Sequence, residues 1–178
     1  VNDDTITLVF STSLKGSAKI RFLTRSHFSH CDVDVGYGLL GASNSPDAIV
    51  LEGNKSGNGV CTRPYNYQPF GRKHEAVIKT PLGPYIIDKL KSQLGKPFDS
   101  DAMYAIFLPW FRERVWYDPS SWYCMELIVW AFDGEHGPNK QRFFPYELAI
   151  ERNIVTPEDG ILIFNPFMDV RRFRVNLV

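Results

Sequence analysis

The residues able to do covalent or proton-transfer chemistry near neutral pH are three cysteines (Cys31, Cys61 and Cys124) and four histidines (His27, His30, His74 and His136). Cys124 stands in SWYCMELIVWAFD (121–133), an apolar run bounded by Pro119–Ser120 and Gly134. The run predicts a helix, with Ser120 or Ser121 as the cap and Glu126 near its positive end. A cysteine in a first helical turn lies among backbone N–H groups that have no intrahelical partner. Their partial positive charge favours a thiolate, and they are suited to hold the oxyanion of a tetrahedral intermediate. The competing reading is plain packing, because buried cysteine is common and usually inert.

A nucleophilic thiolate needs a base, and His30 is the best placed histidine. It opens the alternating stretch CDVDV (31–35), and the end of a rigid strand is a good platform for a reactive side chain. Strand alternation puts His30 and Asp32 on one face, with Cys31 and Val33 on the other. An acid beside the imidazole fixes its tautomer and supports the imidazolium. Glu52 is the competing orienter: it ends AIVLE (48–52), which an antiparallel neighbour strand would set beside the ring. His27 and His136 fall in loop-like sequence, and His74 starts a strand without an evident acid partner. Metal chemistry finds little support, since HExxH, paired CxxC and EF-hand spacings are all absent. GNKSGNG (53–59) is glycine-rich but precedes no helix, which makes it a poor phosphate cradle.

The elements that must position these groups segregate along the chain. Strands are expected over Thr5–Ser11, residues 31–35, Ala48–Glu52, Val60–Thr62 and Lys73–Lys79, with a short helix over Ser17–Arg25. After Pro81 the texture becomes helical: Pro84–Leu94 stops at Gly95, residues 100–114 are broken by Pro109, and further helices cover Ser121–Asp133 and Pro145–Glu151. GILIF and VRRFRVNL close the chain as strand-like pieces. Segregated strands and helices argue for an α+β fold in one domain spanning 1–178.

Composition narrows the function classes. Twenty basic and twenty acidic residues cancel, so there is no broad basic footprint for nucleic acid. Apolar residues make up 44% and aromatics 14%, which describes a globular chain. Three cysteines are too few for a disulfide-built fold. No membrane span is expected, because no window approaches about 18 consecutive apolar residues. VNDDTITLVFSTS lacks the basic start and long apolar run of a signal peptide.

SHCDVDV (29–35), LLGA (39–42), GNGVCTRP (57–64), GKPFD (95–99) and WYCMEL (122–127), in that order, resemble permuted NlpC/P60-like proteins. These are papain-fold cysteine hydrolases of the YiiX/YebB type, with many relatives in phages. The resemblance spans residues from about 26 to 150. It implies a circularly permuted papain-like fold, in which an antiparallel sheet or small barrel packs against a helical part carrying the nucleophile. Cys124 would be the nucleophile and His30 the general base. The family's glutamate falls either at Gly41, which would leave that place without an acid, or at Glu52. Asp32 matches the acid that phage-type members carry two positions after the histidine. Met125 departs from the serine usual after the cysteine. The resemblance also implies that no metal or cofactor is needed, that the substrate is peptide of the bacterial cell wall, and that the setting is a phage tail or virion or a bacterial envelope rather than cytoplasm.

Two readings from other classes stand beside the hydrolase. One is a phage tail or virion assembly protein that uses the fold as a scaffold, with aromatics at 107–123 forming an interface with other virion proteins. The other is a sugar- or peptide-binding module in which Trp110, Trp116, Tyr117 and Trp122 stack on a ligand.

Overall fold

The computed structural model describes residues 5–13, 18, 21, 28–79, 82–101 and 120–133. Six strands form one sheet: β1 (Thr5–Ser13), β2 (His30–Asp34), β3 (Leu39–Asn44), β4 (Glu52–Gly53), β5 (Asn58–Arg63) and β6 (Phe70–Lys79). Their order is β4-β5-β3-β2-β1-β6, and every neighbouring pair is antiparallel. After the strands, the described residues include the helices α1 (Gly83–Lys91) and α2 (Cys124–Asp133). Among the described residues no helix is long and apolar enough to cross a membrane.

The core follows from alternation. Ile6, Leu8 and Phe10 of β1 cluster with Cys31 and Val33 of β2, Leu40 and Ala42 of β3, Val60 of β5, and Ala76 and Ile78 of β6. Ile86 and Leu90 of α1 and Leu127, Ile128 and Ala131 of α2 close over this set. Each valine, leucine, isoleucine or phenylalanine among them contributes about 1.5–3 kcal/mol on leaving water, and together the set presses α2 against β2 and β3. Lys89 of α1 donates to the Trp130 carbonyl at 2.7 Å, with its ammonium 4.2 Å from the centre of the Trp130 ring. Trp122 donates from Nε1 to Gln93 Oε1 at 3.1 Å.

A short connector fixes where α2 begins. Residues 95–99 run between β5 and the lead-in to the helix. On one side the Val60 N–H donates to the Lys96 carbonyl at 2.8 Å, and the Gly95 N–H donates to the Val60 carbonyl at 3.0 Å. On the other, the Trp122 N–H donates to the Pro97 carbonyl at 3.1 Å, and the Asp99 N–H to the Trp122 carbonyl at 3.0 Å. This close approach to the sheet requires glycine at position 59. Its φ is 147°, and a Cβ there would lie 2.2 Å from the Lys96 carbonyl oxygen.

The structure departs from the sequence reading at four places. LLGASN (39–44) is a full strand that periodicity did not reveal: its first five residues are all buried, so nothing alternates. AIVLE was expected to be extended, but only Glu52 enters a ladder. The Ala48 N–H closes a turn onto the Ser45 carbonyl at 3.0 Å, and Ile49 and Leu51 are exposed. α1 ends at Lys91, three residues short of Leu94. Gln93 and Leu94 donate to the carbonyls three residues back and tighten the exit towards Gly95. α2 starts at Cys124, so Ser120 and Ser121 precede its cap position, which is Tyr123. The expected helix over 100–114 lies outside the described residues apart from Ser100 and Asp101, and Ser17–Arg25 apart from Ala18 and Arg21, all four of which are helical; Pro145–Glu151 and the strands GILIF and VRRFRVNL lie wholly outside them.

Gly59→Ala should lower the urea midpoint of unfolding, with a loss of at least about 1–3 kcal/mol from the strained backbone alone. A midpoint equal to that of the unsubstituted protein would contradict the close packing of β5 on the connector.

Candidate functional site

β2 carries two of the polar groups. His30 is its first residue, and its side chain is 14% exposed. Asp32 follows two positions later on the same face and is 1% exposed. The imidazole Nε2 lies 2.9 Å from Asp32 Oδ1. The charge of Asp32 contributes more to this contact than hydrogen bonding does. With Asp32 on Nε2, Nδ1 is the ring nitrogen left for another partner.

Asp32 is held from three sides. Arg63 Nη2, from β5, donates to the same Oδ1 at 3.0 Å and to the Gly41 carbonyl at 3.1 Å. The Tyr67 hydroxyl donates to Oδ2 at 3.1 Å, and Gln68 Nε2 donates to that hydroxyl at 3.1 Å. The guanidinium also stacks over the Tyr67 ring, 4.7 Å from its centre. Arg63 is wholly buried. Gly41 makes room for the carboxylate, because a Cβ at that position would sit 2.2 Å from Asp32 Oδ1. A buried carboxylate without partners would cost several kcal/mol, and these donors offset that cost.

Cys124 is the first residue of α2 and is partly exposed. The first intrahelical bond runs from the Leu127 N–H to the Tyr123 carbonyl at 3.2 Å, so the N–H groups of 124–126 precede the helix ladder. Glu126 Oε2 reaches back to the Tyr123 N–H at 3.4 Å, one half of a capping box.

The electrostatics tie these groups together. Burial works against a charged His30, but the neighbouring Asp32 carboxylate outweighs it. With a smaller contribution from Cys124, the His30 pKa rises from 6.5 to about 10. Burial likewise opposes ionisation of Asp32, yet His30 and Arg63 hold its pKa down at about 2. Burial, then Asp32, pushes the Tyr67 hydroxyl well above its usual range, so it stays a neutral donor.

The structure thus brings Cys124, His30 and Asp32 together and leaves Glu52 elsewhere. Glu52 is exposed on β4 at the sheet edge, with β5 and β3 between it and β2. Its carboxylate accepts from the Tyr37 hydroxyl at 2.5 Å and from Thr62 Oγ1 at 3.4 Å, and it is no orienter of His30. His74 packs against Phe10 and Phe28. Trp122 is 1% exposed, which removes it as a stacking platform for a ligand. His27, His136, Trp110, Trp116 and Tyr117 lie outside the described residues. Among the described residues, no three His, Cys, Asp or Glu side chains converge as a metal ligand set. Sequence reasoning missed Arg63, Tyr67 and the spatial role of Gly41. The one available signal was Asp32 itself: an acid inside an apolar strand demands a buried cation.

Comparison with protein-family models, with curated proteins and with solved structures returns no match.

The two shifts act in opposite pH windows. His30 is raised above its unfolded value, so its contribution to stability is complete below 6.5 and is lost as pH rises through about 10. Asp32 is depressed, so its contribution is present above 3.8 and is lost as pH falls through about 2. Asp32→Asn should therefore bring the His30 titration, followed by NMR of its ring protons, down from about 10 towards 6.5. It should also cost about 3–5 kcal/mol, because Arg63 is left buried without its counter-charge. A His30 midpoint that stays high in the variant would break the assignment.

Proposed function

We propose that the chain is a cysteine hydrolase that cleaves an amide or ester bond through Cys124 and His30, on a permuted papain-like frame. The observation that carries this reading is His30 poised between the Cys124 side chain and a buried, ionised Asp32. An imidazole whose pKa is about 10 is protonated at neutral pH. His30 then stands as a cation beside the attacking sulfur rather than as a neutral base waiting to take the thiol proton.

The reaction follows from the placement of these groups. The Cys124 thiolate attacks the carbonyl carbon, and the carbonyl oxygen gains the negative charge. The N–H groups that open α2 are the donors available to that oxyanion. As the tetrahedral intermediate collapses, His30 gives its proton to the leaving amine or alkoxide, and the acyl group stays on sulfur as a thioester. Water then attacks the thioester while His30 accepts its proton. The carboxylic acid leaves, and the thiolate–imidazolium pair is restored. Asp32 holds the ring through Nε2, which reserves Nδ1 for the sulfur and for the moving proton. The ordered motifs SHCDVDV, GKPFD and WYCMEL support bacterial cell-wall peptide as the substrate class. They also favour a phage particle or a bacterial envelope as the setting.

Cys124→Ala should reduce release of soluble fragments from peptidoglycan by at least about a thousandfold. In the unsubstituted protein, iodoacetamide at neutral pH should label Cys124 selectively, since Cys31 and Cys61 are wholly buried. Turnover that survives the substitution would end the proposal.

A further inference from the structure

Arg63 is a wholly buried cation that the mechanism above leaves without a task. We propose that Arg63 is a positioning residue for the Cys124–His30 pair: it shares one oxygen of Asp32 with His30 and supplies the second buried positive charge that a Cys124 thiolate needs. The inference deepens the hydrolase reading and rests on it.

The argument is one of charge and geometry. His30 Nε2 and Arg63 Nη2 approach the same Asp32 oxygen, at 2.9 and 3.0 Å. Imidazolium, carboxylate and guanidinium sum to one positive charge, and a thiolate at Cys124 brings the group to zero. Without the guanidinium the same thiolate would leave a net negative charge in a poorly solvated site, which is unfavourable. The other groups around the site do not fill that need. Tyr67 from the loop after β5, Tyr123 before α2 and Cys31 on β2 are neutral, each held so first of all by burial. Asp99 of the connector and Glu126 of α2 surround Tyr123 and carry the wrong sign. Among the described residues, His30 and Arg63 are the cations paired with the Asp32 carboxylate.

Sharing Oδ1 has a second effect. A carboxylate divided between two cations grips each less firmly, so Arg63 leaves the imidazolium freer to release its proton to a leaving group. Loss of Arg63 should therefore move sulfur and ring in a pattern that simple collapse of the acid would not produce. The thiolate should become harder to form, while His30 holds its proton at least as tightly as before.

The bond to the Gly41 carbonyl gives Arg63 its fixed place. Nη2 spans Asp32 on β2 and the backbone of β3 while its own strand is β5. Nε and Nη1 make no hydrogen bond among the described residues. One nitrogen thus does the work at the acid, which is why a lysine ammonium is a fair replacement for charge though not for shape.

The test compares Arg63→Gln and Arg63→Lys with the unsubstituted chain, each checked for folding by circular dichroism. Two quantities are read: the rate of Cys124 alkylation by iodoacetamide across pH, with the labelled peptide identified by mass, and the NMR titration of His30. R63Q should slow alkylation at neutral pH by about tenfold, the equivalent of one pH unit, with its profile displaced to higher pH. R63K should recover the rate to within about threefold. The His30 midpoint in R63Q should stay at or above that of the unsubstituted protein. The proposal falls if R63Q alkylates at the original rate, if R63K is as slow as R63Q, or if the His30 midpoint drops as it does in D32N. Should R63Q fail to fold, Arg63→Met, of similar length and without charge, takes its place in both readings, with the same slowing expected and the original rate overturning the proposal. An inert Cys124 in the unsubstituted chain removes the hydrolase reading and this one with it, whereas a reactive thiol indifferent to position 63 removes only the role of Arg63.

Discussion

A single buried carboxylate organises the centre of this molecule. Asp32 is ionised where water scarcely reaches, and three strands and a loop contribute to keeping it so. β2 provides the acid and its histidine, β3 provides an empty place and a carbonyl, and β5 provides the guanidinium. The loop after β5 adds a phenol. Removal of any one partner leaves another polar group stranded, which is the expensive outcome for a buried network. The antiparallel order β5-β3-β2 brings these residues side by side, although they are spread over more than thirty positions of sequence.

The sulfur arrives by a different route. α2 is pressed onto β2 and β3 by an apolar face, and its start is set by the connector 95–99, which pairs with β5 on one side and with Trp122 on the other. The hydrophobic effect supplies the adhesion but is indifferent to direction. The backbone hydrogen bonds of the connector supply the placement. Gly59 is the point at which the two meet, because only a residue without a side chain lets the connector lie this close.

Much of this was legible in the sequence. The β-rich run from Thr5, the strand opened by His30 and the apolar helix behind Cys124 all stood out by pattern, and strand alternation put Asp32 on the face of His30. Other parts had no local signal. Strand β3 is buried along nearly its whole length, so its sequence carries no two-residue rhythm. The choice between Asp32 and Glu52 depended on which strands neighbour which, and sheet order is a long-range property. Arg63 was invisible for the same reason: an arginine followed by proline at a strand end reads as exposed until its cross-sheet acid is known. Tyr37 and Thr62 gave Glu52 partners of its own at the sheet edge, far from the histidine.

Acid, base and guanidinium all belong to the first half of the chain, and only the sulfur comes from the second. The molecule therefore divides its labour between a charge-bearing platform and a docked reagent. Harm to the α2 region silences the nucleophile and spares the ionic assembly beneath it. Harm to the β3–β5 region does the reverse, leaving a sulfur in place with nothing to tune it. The two kinds of lesion are chemically distinguishable, and substitutions gathered in either half can be sorted by which signature vanishes.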